Sequence, residues 1–251
     1  MEVISPDGSA KPLNLGNTIF NKSITILELA PMHIPDGFLN PYVCALTYIT
    51  SAIFLFWAWK KMKATYPRAV VPLLAMSSAF VFAAQMLNFP IAYGTSGHLV
   101  GGTFLATLLG PHAAMLSMTI VLLIQAIFFA DGGISTFGAN ILNMAIIGAL
   151  SFYVVKLLSG SSPSQKRFLA SVFAASWFSI VLGALLCGLQ IGVSPIFASA
   201  GGLLVTVPAM LFWHIIIGVG EAAITTSLIS QLVRVRPMVL NGLAILGWDI
   251  Q

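Results

Sequence analysis

From residue 40 onward, the chain alternates long apolar segments with short polar ones. The apolar segments span approximately 40–59, 70–91, 99–110, 113–130, 138–158, 168–191 and 203–232. A membrane-spanning helix needs about 20 predominantly apolar residues, and most of these segments reach that length. The third segment is short and lies between Gly101-Gly102 and Gly110-Pro111, so by itself it fits either a re-entrant piece or a short, tilted helix.

The composition is that of an integral membrane protein. Of the 251 residues, 58% are hydrophobic and 7% are charged, and the mean hydropathy is +0.98. Soluble domains carry about 25% charged residues, so a chain with so few cannot cover a water-facing surface. Cys44 and Cys187 both lie in apolar segments, where cysteine behaves as a small hydrophobic residue and indicates nothing about disulfides.

The basic residues indicate how the apolar segments are oriented. After the first segment they occur near three short connections: Lys60, Lys61, Lys63 and Arg68; Lys156, Lys166 and Arg167; Arg234 and Arg236. The positive-inside rule places these connections in the cytoplasm, and it explains the pI near 9.2 without nucleic acid as a partner. An even number of crossings must separate the first two connections, so the short third segment must cross as well. We therefore predict an all-α polytopic protein of the plasma (inner) membrane, with seven transmembrane helices, the N-terminus outside and the C-terminus in the cytoplasm.

The first 31 residues differ from the rest of the chain, because they are polar and contain no convincing apolar run. A secretory signal needs a basic start, an apolar core of 7–15 residues and a small-residue cleavage site. Here the most apolar stretch is interrupted by Glu28 and followed by Pro31. We therefore interpret 1–31 as an N-terminal extension, arising from an upstream start assignment or removed from the mature chain, and 32–251 as one transmembrane domain.

Two of the four histidines, His33 and His98, fall on the predicted outer side. If Met32 is the first residue, its α-amine, the amide nitrogen of His33 and the His33 imidazole supply three nitrogen donors. The His98 imidazole would complete a planar set of four nitrogens, which favours Cu(II) or Ni(II) over tetrahedral Zn(II). Without a free amine, a tetrahedral zinc site stays possible. The alternative is that His33 is a polar interface residue and His98 an ordinary loop histidine.

The segment Met-His-Ile-Pro-Asp-Gly-Phe-Leu (32–39), followed by an apolar helix and later by the glycine-framed His98, resembles a known family. It is similar to the metal-binding S component of nickel/cobalt energy-coupling-factor transporters, the CbiM/NikM family, from Met32 to about Arg236. The resemblance implies seven transmembrane helices and a metal-binding loop at 32–39. It also implies that the ligands are the amine of Met32, the amide and imidazole of His33, and His98. We therefore expect the mature chain to begin at Met32.

Other polar residues within the apolar segments are candidates for a functional role. Glu221 follows His214 by seven residues, on nearly the same helical face, and the pair could be a proton relay or a second metal position. The alternative is a structural pair that is hydrogen-bonded to neighbouring helices. Asn88 and Asn140 lie near outer helix ends and could orient His98 by hydrogen bonding.

The chain lacks a GxxxxGK[ST] nucleotide-binding motif, so it is not predicted to be an enzyme or to hydrolyse ATP itself. The resemblance implies a transmembrane coupling protein, ATPase subunits and a small accessory membrane protein as partners in the lipid bilayer. We predict a substrate-capture subunit for uptake of Co(II) or Ni(II), without a cofactor, of the kind that supplies cobalamin biosynthesis. The alternative is a stand-alone proton-coupled secondary metal transporter that uses Glu221 and His214. An intramembrane protease is disfavoured, because Asp131 and Asp249 are the only aspartates after Gly37 and no HExxH motif is present.

Overall fold

The computed structural model describes residues 33–87, 89–90, 96–97, 99–161, 163–199 and 201–235, together with two short strands near the N-terminus. Met32, Asn88 and His98 lie outside the described residues, as does most of the extension 1–31. The strands form two antiparallel ribbons of two or three residues per strand: β1 (Glu2–Ile4) with β2 (Ala10–Pro12), and β3 (Phe89–Pro90) with β4 (Ser96–Gly97).

Each predicted apolar segment contains a helix, and the prediction of an all-α polytopic membrane protein is confirmed. The helices are α1 (Pro41–Thr65), α2 (Val71–Gln85), α3 (Gly102–Leu109), α4 (Pro111–Phe128), α5 (Phe137–Ser159), α6 (Gln165–Gly192) and α7 (Leu203–Val235). A 3₁₀ turn, Arg68–Val70, precedes α2, and a single helical turn, Pro195–Ala198, precedes α7. Within the described part of the chain, five helices are long and apolar enough to cross a membrane. The shorter ones are α2, with 15 residues, and α3, with eight.

Helices α2 and α4 lie side by side and run in the same direction. The hydroxyl oxygens of Ser78 and Ser117 lie 2.8 Å apart in the interior. About two turns further along both helices, Nε2 of Gln125 donates a 2.7 Å hydrogen bond to Oε1 of Gln85. Because α2 and α4 are parallel, the chain must return between them, and α3 lies on this return path.

The third apolar segment covers more depth than its short helix suggests. Val100 accepts a 2.6 Å hydrogen bond from Gln85, which places it level with Gln125. The start of α4 at Pro111 lies about 21 Å along the helix from Gln125, at 1.5 Å per residue. The segment between Val100 and Pro111 therefore runs through much of the bundle. The number of full crossings and their orientation stay predictions.

Helix α3 is the most enclosed element of the bundle, since all eight of its residues are buried. It crosses α5 at a pair of glycines: a Cβ added to Gly102 would lie 2.7 Å from the Cα of Gly148. Such close backbone approach between membrane helices depends on small residues. The buried helix α3 therefore lies at the centre of the core. At Gly102 and Gly148 its backbone is in direct contact with the backbone of α5.

Helices α1 and α7 present apolar side chains outward. Of the most apolar 18 consecutive residues, 17% are buried in α1 and 22% in α7, compared with 61% in α4. Exposed residues include Leu46, Ile53 and Phe56 on α1 and Phe212 and Ile216 on α7. A helix that exposes this much apolar surface is suited to contact with lipid or with other membrane helices.

Candidate metal centre

The segment that begins at His33 is packed into one end of the bundle. His33 and Ile34 are buried, and the segment packs against the loop that joins α4 to α5. Nδ1 of His33 lies 2.7 Å from Oδ1 of Asp131, in that loop. A carboxylate beside an imidazole fixes the orientation of the ring, so the position of the His33 side chain is set by α4 and its loop.

Both backbone groups of Ile34, the residue after His33, are held by side chains or loop backbone. The Ile34 amide donates to Oδ1 of Asn140 at 2.8 Å, and Nδ2 of Asn140 donates back to the Ile34 carbonyl at 3.1 Å. The same carbonyl also accepts from the Thr136 hydroxyl at 2.5 Å and from the Gly133 amide at 2.9 Å. Asn140 therefore contacts the His33 segment directly, while its predicted contact with His98 stays a prediction.

Asp36 forms a second set of hydrogen bonds between the same segment and the loop that joins α4 to α5. Its carboxylate accepts hydrogen bonds from the Ser135 amide (2.6 Å), the Ser135 hydroxyl (2.5 Å) and the Ile134 amide (3.1 Å). The hydrogen bond from the Ser135 side chain is the main cause that lowers the pKa of Asp36 below its usual value. Gly133 permits this approach, because a Cβ there would lie 2.3 Å from the Asp36 amide nitrogen.

Helix α1 supports both the segment and the loop. Asn40 caps α1 through its side chain, which accepts from the Tyr42 amide at 2.9 Å, and its own amide donates to Oγ of Ser194 at 3.0 Å. Two to three turns into α1, the Tyr48 hydroxyl donates to the Ile134 carbonyl, and the Ser51 hydroxyl donates to the Gly138 carbonyl at 2.7 Å. The His33 segment thus lies between α1, α5 and the loop that bears Asp131.

Helix α5 contains a π-helical turn, Ile141–Ile146, directly after Asn140. Inside this turn, Asn143 exchanges two hydrogen bonds with Gln190 of α6, at 2.8 and 2.9 Å. π turns are frequent at functional sites because they change the direction of neighbouring side chains. Here Asn140 contacts the His33 segment, whereas Asn143 fixes the turn against α6.

The residues that follow His98 in the sequence are anchored inside the bundle. The carboxylate of Glu221 accepts from the Val100 amide at 2.7 Å and from the Gly101 amide at 3.1 Å. Gly101 has φ +75°, in the left-handed region that favours glycine. The Val100 carbonyl accepts from Gln85 at 2.6 Å, so both backbone groups of Val100 are held by buried side chains.

The predicted pairing of Glu221 with His214 is not made by a hydrogen bond among the described residues. Nδ1 of His214 lies 2.7 Å from the Met210 carbonyl of its own helix, while both oxygens of Glu221 contact the 99–101 backbone. Within the described ranges, no three His, Cys, Asp or Glu side chains gather to hold a metal ion. A metal site at His33 would therefore need donors from outside those residues, such as Met32 and His98, or of another chemical kind.

The model of the CbiM family, described as the cobalt uptake substrate-specific transmembrane region, matches residues 33–239. This chain belongs to the CbiM family. A fused nickel transport protein of the NikMN type from Archaeoglobus fulgidus is 40% identical over 211 residues, or 84% of this chain and 68% of that protein. The fused nickel transport protein NikMN of Rhodobacter capsulatus is 39% identical over 221 residues, or 83% of this chain and 64% of that protein. A crystal structure described as that of a transition metal transporter has a TM-score of 0.72 at 36% identity, covering 81% of this chain and 93% of its own.

Membership of the family confirms the resemblance predicted from the Met32–Leu39 segment and from His98. The protein is a multi-pass membrane component of the CbiM/NikM type. It spans about two thirds of the length of the two fused relatives. No sequence pattern marks Asp131, Thr136, Gln85 or Gln125 as site residues, because only the folded chain brings them to the two histidine segments.

Proposed function

We propose that this chain is the substrate-capture subunit of an energy-coupling-factor uptake transporter for Co(II) or Ni(II). The observation that carries the proposal is the buried, hydrogen-bonded His33 segment in a member of the CbiM family. Hydrogen bonds hold this segment at both Ile34 and Asp36, which fixes the backbone beside the proposed ligand His33. The family relatives named as nickel transport proteins make a late first-row metal the expected substrate.

The proposed ligands are the amine of Met32, the amide and imidazole of His33, and the imidazole of His98. Four nitrogens in fused chelate rings form a planar arrangement that suits Ni(II), and nitrogen ligands also suit Co(II). Loss of the amide proton on binding makes affinity dependent on pH. The contacts of Asn140 with Ile34 and of Glu221 with Val100 support this site, because they fix the backbone beside each proposed histidine.

The proposed energy source is ATP hydrolysis on partner subunits. The chain has no nucleotide-binding motif of its own, so a transmembrane coupling protein and ATPase subunits would drive release to the cytoplasm. A small accessory membrane protein would complete the assembly. The alternative, a stand-alone proton-coupled carrier, gains little support from Glu221 and His214, which bond to the 99–101 backbone and to Met210 respectively.

The site can be tested by calorimetric titration of Ni(II) and Co(II) into the purified protein. We expect His98→Ala to remove most of the binding, and the matched change His112→Ala, at the start of α4, to leave it within a few-fold of the parent. Unchanged affinity in His98→Ala would rule out the proposed ligand set.

The energy source requires a separate measurement in proteoliposomes. We expect uptake of radioactive nickel or cobalt only when coupling and ATPase subunits and ATP are present. Uptake by this chain alone that collapses on addition of an uncoupler would instead establish the proton-coupled alternative.

A further inference from the structure

A series of hydrogen-bonded residues connects the two histidine segments through the interior of the bundle. It starts at His33, which contacts Asp131, and continues from the Asp131 amide to the Gln125 carbonyl at 3.1 Å. The Gln125 side chain donates to Gln85 at 2.7 Å. From there the series reaches Val100 and ends at the carboxylate of Glu221, through the bonds of 2.6 and 2.7 Å described above.

The middle of this series consists of two buried amide side chains with fixed donor directions. Gln85 and Gln125 are 2% and 0% exposed, so neither amide has access to water that could replace a lost partner. Gln125 uses Nε2 to reach Oε1 of Gln85, and Gln85 uses Nε2 to reach the Val100 carbonyl. A buried amide or carboxylate that loses its partner is destabilised, so each link holds the next in place.

Glu221 is the anchor at the far end. Its two oxygens receive the amides of two successive residues, Val100 and Gly101, and it stands near the middle of α7, the longest helix described. A buried carboxylate is tolerated where backbone N–H groups point at it in this way. The turn that follows His98 in the sequence is thus hydrogen-bonded to Glu221 of α7 on one side and to Gln85 of α2 on the other. Gln125 of α4 in turn donates to Gln85.

We propose that Glu221, Gln85 and Gln125 are positioning residues of the metal site, which hold the 99–101 turn in a fixed relation to the His33 segment. This inference rests on the proposed function, since it assumes that His33 and His98 bind one metal ion. None of the three side chains binds the metal in this scheme. They act by fixing the segment that bears His98, so that its imidazole can reach the metal ion bound at His33.

The principal test is Glu221→Gln in the full-length protein in lipid nanodiscs, with NiCl₂ as the probe. Glutamine has the same shape, but its Nε2 cannot accept from an amide, so one of the two backbone bonds is lost. We expect the Ni(II) affinity to fall about 10- to 100-fold, the range typical for residues that support metal ligands. Gln85→Met removes the hydrogen bond to the Val100 carbonyl, and Gln125→Met removes the donor to Gln85. Both changes are expected to act in the same direction.

The matched control is Ser117→Ala. Ser117 and Ser78 form a buried hydrogen bond of 2.8 Å between α2 and α4, the helices that Gln85 and Gln125 join, but this bond does not reach the 99–101 turn. We expect Ser117→Ala to change the Ni(II) affinity less than threefold. If Ser117→Ala lowers the Ni(II) affinity as much as Gln85→Met and Gln125→Met do, the series only stabilises the bundle and the inference is wrong.

A double-variant comparison separates positioning from general stability. If Glu221 acts through His98, then Glu221→Gln adds no further loss once His98 is replaced by Ala, because there is no imidazole left to position. A structural role would instead add its loss in both backgrounds. The absorption spectrum of bound Ni(II) is expected to change in Glu221→Gln, as the fourth nitrogen is displaced. An unchanged spectrum with full additivity would overturn the inference.

The outcome for the proposed function is distinguishable. If the parent protein binds no Ni(II) or Co(II), or if His98→Ala binds as well as the parent, the proposed site itself fails. If His98→Ala loses binding while Glu221→Gln, Gln85→Met and Gln125→Met match Ser117→Ala, the site stands and only the positioning role fails. If Glu221→Gln does not fold, Gln85→Met and Gln125→Met are compared with Ser117→Ala and combined with His98→Ala in the same way, and these measurements decide whether the positioning role holds.

Discussion

Nδ1 of His33 lies 2.7 Å from a carboxylate oxygen of Asp131, and this contact joins the proposed metal-binding segment to the loop after α4. Nδ1 is also the ring nitrogen that would close a six-membered chelate ring with the His33 amide. Binding of metal through that ring therefore requires the contact between Nδ1 and Asp131 to break, and a rotation about both side-chain bonds of His33 would bring Nε2 to Asp131 instead. The carboxylate would then accept from Nε2–H, the usual partner arrangement for a metal-bound histidine.

The first prediction is that Asp131→Asn weakens Ni(II) binding about 10-fold, as is typical when the carboxylate partner of a metal-bound histidine is removed. The change keeps the size of the side chain and removes its charge. Calorimetric titration checks it, with circular dichroism to establish that the helices are intact. Tighter binding in Asp131→Asn would mean that Asp131 only restrains the metal-free ring, and would contradict the proposed turn of His33.

The sequence was sufficient for the helical segments but not for the side-chain partners of the site. Apolar length and the positions of Lys and Arg predict the order of the helices, since both properties are local. Asn140 lies near the start of α5, yet its partner Ile34 is 106 residues away in the chain. Such pairs depend on the register between helices, which periodicity does not encode.

Glu221 illustrates the same limit. Seven residues separate it from His214, which places both on one helical face but about two turns apart. Each therefore finds a different partner: His214 the carbonyl one turn earlier, and Glu221 the amides of Val100 and Gly101 from another part of the chain. A shared face predicts that two side chains point in one direction, and it does not predict that they touch.

The second prediction concerns the close approach of Gly133 to Asp36. Gly133→Ala would place a methyl group 2.3 Å from the Asp36 amide nitrogen and 2.5 Å from its Oδ1, so the 33–39 segment must shift. We expect metal binding to be largely lost while the helical content is retained. The control is Gly220→Ala in α7, where nothing lies within 4 Å of the added Cβ and binding is expected to be unchanged. Normal binding in Gly133→Ala would show that the packed position of the segment is not needed for capture.

The third prediction concerns the hydrogen bonds that Asn140 and Thr136 form with the backbone of Ile34. Asn140→Ala leaves the buried Ile34 amide without its acceptor, a change that destabilises by about 1–3 kcal/mol. Thr136→Val should destabilise less, because the Ile34 carbonyl keeps its bonds from Gly133 and Asn140. Thermal unfolding in detergent measures both variants. A larger destabilisation by Thr136→Val than by Asn140→Ala would mean that the Thr136 hydroxyl, and not the Asn140 amide, contributes most to holding Ile34.

The fourth prediction is a pH dependence of the contact between Asp36 and the loop. Hydrogen bonds from Ser135 and Ile134 favour the ionised carboxyl and lower its pKa from the usual 3.8. The resulting stabilisation is fully present above the pKa of the unfolded chain and is lost as the pH falls through the lower pKa of the folded protein. The protection of the Ile134 and Ser135 amides against hydrogen exchange, relative to the intrinsic exchange rate at each pH, is expected to fall below about pH 4 in the parent. Asp36→Asn is expected to remove this dependence, and a parallel change in both proteins would contradict it.

The fifth prediction concerns the amine of Met32, on which a four-nitrogen site depends. A chain that starts at Met32 is expected to bind Ni(II) in a planar arrangement and to release protons on binding, so that its affinity rises with pH. A chain that keeps residues 1–31 has an amide bond between Pro31 and Met32 and therefore lacks this donor. The intact mass identifies which form is purified, and titration of both forms at two pH values compares their binding. Equal affinity and equal proton release in the two forms would exclude the amine as a ligand and would leave His33 and His98 to bind the metal with a different donor.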